Sequence, residues 1–346
     1  MAGRNKSLPL AAAILLAGGV VLVGWLGWNE FKPPGPPYEY VLVAKGAVGD
    51  FPALGLSPEK HPDLRLNKYE LRLVGSSGEP LVALLVAQRT GGSRLLLDWD
   101  SSVSEPFINV NVDLQETIAL AQAIRKHSVA NSTLLAWWDV SSRLDALTDR
   151  NYPFSEHLSE PLILPTQWSD LRPVIREHEA SFWGSGENRT KVQDFEKFTQ
   201  ALLADESTGV AQLREMSGVK EDAFLVIDLR DAYKLGSMYP EQFQIGFRDF
   251  PKGTDIHGIA GRLKEWLNEE GYESYAIQPV DRKTIRVYFL ADQESQDTLL
   301  AKLLPFTTSN PIQAGALDLV YQKKHHWVYR LQPQSSQDST QASIGN

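Results

Sequence analysis

Residues 8–28, LPLAAAILLAGGVVLVGWLGW, form an uncharged run of 21 residues at the amino end of a 346-residue chain. As a helix, such a run reaches about 31 Å at roughly 1.5 Å per residue, enough to cross a hydrocarbon core of about 30 Å. Arg4 and Lys6 precede it, and the first charge after it is Glu30. The positive-inside rule then keeps residues 1–7 in the cytoplasm and exports the rest. Trp25 and Trp28 stand where an interfacial aromatic anchor belongs, and the following NEFKPPGPPYEY contains no small-x-small cleavage site. The run predicts a single-pass anchor in the cytoplasmic (inner) membrane, with the carboxy-terminal body in the periplasm.

Everything beyond the run must fold in water, and composition narrows what it can do. With 42% hydrophobic residues the chain can bury a sizeable core. Its 34 basic and 43 acidic residues give a net charge of -9, which argues against phosphate neutralisation and so against nucleic acid as a partner. There is no cysteine. That absence excludes disulfides, thiolate nucleophiles, Cys-ligated zinc, iron–sulfur clusters and covalently attached c-type haem. The seven histidines have no metal-ligating spacing, and P-loop, GxGxxG and GxSxG patterns are missing. No cofactor or metal site is expected.

The pattern divides the chain. Residues 29–37 include KPPGPP, with four prolines in six residues, and read as a semi-rigid spacer. Residues 38–168 open with short β-forming runs (38–44, 69–74, 81–88 and 95–99) and continue with a helix at 113–126, a buried strand at 133–138 and a helix at 140–150. This predicts a mixed α/β domain. Residues 169–218 read as a helical segment packing a core. Residues 219–332 follow the order β-β-α-β-β-α-β-β, which predicts a ferredoxin-like α+β domain. Residues 333–346 have almost nothing to bury and read as a disordered tail. The expected fold class is thus α+β with α/β character, a membrane-anchored body of two domains.

One segment stands out for chemistry: residues 134–154, LLAWWDVSSRLDALTDRNYPF. An apolar strand runs into a helix at Trp137-Trp138-Asp139, and Asp139 is placed to cap that helix. Arg143 follows Asp139 by four residues, so the two share a helical face, and Asp145 with Asp149 repeats the spacing. Read blandly, this is a capped helix with an ion pair and large core aromatics. Read functionally, Trp137, Trp138, Asp139, Arg143 and Asp145 line a polar pocket at the carboxyl end of a strand, where α/β layers place their sites.

Together with Glu160-Pro161-Leu162, Leu164-Pro165 and the single apolar N-terminal run, this segment resembles the hydroxylamine oxidation protein HaoB family. The likeness is specific over residues 134–165. The family occurs beside the multihaem hydroxylamine dehydrogenase of ammonia- and methane-oxidising bacteria. The resemblance implies a periplasmic, membrane-tethered accessory protein acting with that dehydrogenase or its cytochromes and carrying no redox centre itself. It implies no catalytic residues. Two other classes stay open: a hydrolase-like enzyme using Asp139, Arg143 or Asp145, and a periplasmic ligand-binding module.

Overall fold

A computed structural model describes residues 35–89, 91–101, 114–156, 166–184, 189–218, 222–252, 256–279, 283–311 and 317–332. The expected anchor, the tail and Asp113, expected to cap the first helix, lie outside the described residues. Among those residues, no helix is long and apolar enough to cross a membrane.

The fold is mixed α+β, with three sheets among the described residues. Strands β1 (Tyr38–Ala47), β2 (Leu64–Leu73), β3 (Val82–Arg89) and β4 (Arg94–Ser101) form an antiparallel meander. The turn between β3 and β4 takes Gly91 to φ 76°, a left-handed conformation that suits a residue without Cβ. Helix α1 (Leu114–His127) then turns Leu114, Thr117, Leu120, Ala121 and Ile124 inward, the spacing of one helical face.

Strand β5 (Thr133–Ala136) leads into α2 (Trp138–Leu147), and α3 (Arg172–Trp183), α4 (Arg189–Leu203) and α5 (Glu206–Ser217) follow. Next come β6 (Ala223–Asp228), α6 (Leu229–Met238), β7 (Ile245–Pro251), α7 (Ile256–Glu270), β8 (Ser274–Pro279) and β9 (Thr284–Leu290). Two short helices, α8 (Gln293–Asp297) and α9 (Leu299–Leu303), precede the hairpin of β10 (Leu317–Lys323) and β11 (His326–Leu331). A single helix over 295–304 is expected from sequence, but Thr298 interrupts it. Its hydroxyl accepts from the Ala301 amide, capping a new helix where the first one stops.

The ferredoxin-like expectation for residues 219–332 does not hold. Its strands divide between two sheets, one in the order β10-β11-β6-β5 and one in the order β7-β9-β8. All six positions of β6, AFLVID, are buried. Such a strand needs neighbours on both edges and cover on both faces. It pairs antiparallel with β11 and parallel with β5, which lies some ninety residues earlier, with Thr133 opposite Ala223 and Ala136 opposite Val226. Strand β8 alternates buried and exposed positions, and the antiparallel β7-β9-β8 sheet has its own small core of Leu263, Leu267, Ile285 and Val287. The main core is continuous from Tyr38 to Leu331.

Helix α3 docks on the first sheet through a buried carboxylate. Glu179, 0% exposed, accepts hydrogen bonds from Tyr40 Oη at 2.6 Å, from Trp183 Nε1 at 2.8 Å and from Tyr38 Oη. Burial outweighs these donors and pushes the carboxyl up to about 7. An unfolded Glu releases its proton first, at its ordinary value of 4.5, so between about pH 4.5 and 7 the unfolded chain binds fewer protons. Stability from this group therefore falls as pH rises through that window. Urea titrations across pH 4.5–7 should show stability falling more steeply with pH in the wild type than in Glu179→Gln. Equal slopes would remove Glu179 as the cause.

Candidate functional site

Parallel strands β5 and β6 each pass directly into a helix, so the amino ends of α2 and α6 lie side by side at their carboxyl ends. The α6 end is specified locally. Asp228 is its N-cap and accepts from the Arg230 amide, while Asp231 reaches back to accept from the Asp228 amide at 2.8 Å. This reciprocal pair is a capping box. The α2 end is built differently. Its N-cap is Trp137, with no side-chain bond to the helix amides, because the strand stops at Ala136 and Trp138 is already helical. The capping role expected for Asp139 is therefore not what its side chain does.

Asp139 lies in the first turn of α2, where the helix dipole favours a negative charge. Its Oδ1 accepts from Lys234 Nζ at 2.9 Å, and the same ammonium reaches Asp231 Oδ1 at 3.1 Å. Lys234 thus ties the two helix starts together. Arg230 grips Asp228 with two parallel bonds, Nε to Oδ1 at 2.7 Å and Nη2 to Oδ2 at 2.5 Å. His326, opposite Asp228 on β11, approaches it at 3.4 Å. Asp139, Arg143, Asp228, Arg230, Asp231, Lys234 and His326 are all buried.

The electrostatics follow from that burial. Dehydration pushes Asp139 up, but Lys234 and Arg143 beside it more than offset this and hold it below the usual carboxylate range. Asp228 is likewise opposed by burial and held low by Arg230. Asp231 is raised by burial despite Lys234, with Asp228 and Asp139 adding repulsion. Burial lowers His326 to about 4, so the imidazole is neutral at pH 7 and its approach to Asp228 is not an ion pair there. Three aspartates thus face three cations, and each carboxylate is engaged.

Of the residues singled out from sequence, the structure brings Asp139, Arg143 and Trp137 to this cluster. The Lys234 ammonium lies 5.1 Å from the centre of the Trp137 ring, whose other neighbours include Phe195, edge-on at 5.2 Å. Trp138 is packed in the core at 2% exposure. Asp145 stands apart, half-buried and hydrogen-bonded to Ser155. Arg143 acts on Asp139 through space without a hydrogen bond between them. Sequence reading missed Asp228, Arg230, Asp231, Lys234 and His326. The signal was present: Asp228 and Asp231 have capping-box spacing directly after the AFLVI strand, with Lys234 three residues further on.

Among the described residues, no group of three or more His, Asp or Glu side chains is arranged to hold a metal ion. The cluster is a closed brace between two βα units, joining residues whose sequence separation is 95 at the Asp139–Lys234 bond.

Comparison with solved structures finds a likeness to the C-terminal domain of PglB from C. jejuni, at 12% identity and a TM-score of 0.34, covering 62% of this chain and 99% of that one. A likeness so distant bears on neither fold nor function. No curated protein matches the chain significantly. A sequence model of one family, described as HaoA-associated protein HaoB, matches residues 4–331. That span takes in the β5–α2 junction, the α6 capping box and β11, and so every residue of the buried cluster. The chain belongs to the HaoB family.

Proposed function

We propose that the protein is a membrane-tethered periplasmic accessory factor of hydroxylamine oxidation, acting with a multihaem hydroxylamine dehydrogenase and carrying no redox centre itself. The observation that carries this reading is the family match across residues 4–331, whose description ties the family to HaoA. The apolar run 8–28 with Arg4 and Lys6 before it supports a tether with the body exported, and the proline-rich composition of residues 29–37 suits a spacer between the two. A chain without cysteine cannot attach c-type haem, so electrons would pass through partners.

A hydrolase-like role would need two carboxylates facing a substrate. Asp139 and Asp231 instead share Lys234, and Asp228 is held by Arg230. That commitment favours the accessory reading.

Protease added to spheroplasts should digest the body, and deletion of the gene should lower hydroxylamine-dependent oxygen uptake. Full protection would overturn the topology. Unchanged uptake would overturn the role.

A further inference from the structure

Arg143 differs from every other arginine of the described residues. Its side chain is 2% exposed, and both Nε and Nη2 are buried with no hydrogen-bond partner. Among the described residues Arg230 is the other buried arginine, and it bonds both of these nitrogens, whereas Arg143 leaves two adjacent nitrogens unbonded. Those two nitrogens form one edge of the planar guanidinium, the edge that grips a carboxylate with two parallel bonds. The same edge of Arg230 does this to Asp228, at 2.7 and 2.5 Å. The fork is filled on α6 and open on α2.

We infer that Arg143 anchors a binding site for a small planar anion presenting two oxygens, a carboxylate of the size of formate or acetate. The neighbouring acids do not serve in its place. Asp139, Asp98 and Asp228 favour the charge through space, yet none bonds to Nε or Nη2. Asp139 is spent on Lys234 and Asp228 on Arg230. Buried donors of a charged group are costly to leave unmade, so a ligand that completes them is favoured. The depth of the guanidinium selects for size.

The test uses the full chain in detergent, titrated with sodium formate and sodium acetate against sodium chloride at constant ionic strength and read by melting temperature and calorimetry. Formate or acetate should raise the melting temperature saturably while chloride does not. Arg143→Lys keeps the charge but lacks the fork, and should weaken the apparent Kd at least about tenfold. Arg143→Met removes the guanidinium and should abolish the response, with the variant still melting in a single cooperative transition. A wild-type response to carboxylates no different from that to chloride would overturn the site, whatever the variants do. So would a response that survives in Arg143→Met.

Discussion

Replacing Lys234 with alanine is expected to cost the fold about 3–5 kcal/mol, because it strands two buried carboxylates at once. Asp139 and Asp231 both depend on this one ammonium, at 2.9 and 3.1 Å. Asp139→Asn should be milder, at about 1.5–3 kcal/mol, since Lys234 keeps Asp231 and the amide keeps an acceptor. Urea midpoints for the two variants give the comparison, with unchanged slopes showing that both unfold as the wild type does. A Lys234→Ala loss no larger than that of Asp139→Asn would mean that the ammonium is not shared in solution.

Trp138→Ala should cost a further large amount, about 3–5 kcal/mol, as expected for truncating a fully buried aromatic. Trp138 is among the largest side chains with essentially no exposure. A binding role at the wall of an open pocket would instead leave melting normal and abolish function. The packing decides for the core, so a lowered melting temperature is the expected result, and an unchanged one would return Trp138 to a binding surface.

Legibility in the sequence followed the range of the interactions. The meander β1–β4 could be read because its strands are local, alternating and separated by glycine turns. The β5–α2 junction could be read because an apolar run ends at Asp139 and helical spacing begins. The α6 helix is weakly signalled because Gly236 and Ser237 lower its helical propensity. Its capping box was the compensating signal. What no local pattern contains is the parallel pairing of β5 with β6, which depends on partners ninety residues apart. That pairing alone brings Lys234 to Asp139, so the site was half visible: its residues on α2 could be named, but not the cations and carboxylates opposite them. The same pairing took β6 out of a ferredoxin-like sheet and into a shared one.

If this chain works with the multihaem dehydrogenase of hydroxylamine oxidation, as proposed, the two should be recovered together from native membranes. The most direct measurement is affinity purification of the tagged full-length protein from detergent-solubilised native membranes, with haem staining and mass identification of what it retains. Hydroxylamine dehydrogenase should co-elute in near-stoichiometric amount, while an unrelated single-pass periplasmic protein carrying the same tag retains none. Recovery of the tagged chain with all hydroxylamine dehydrogenase in the unbound fraction would contradict the proposal.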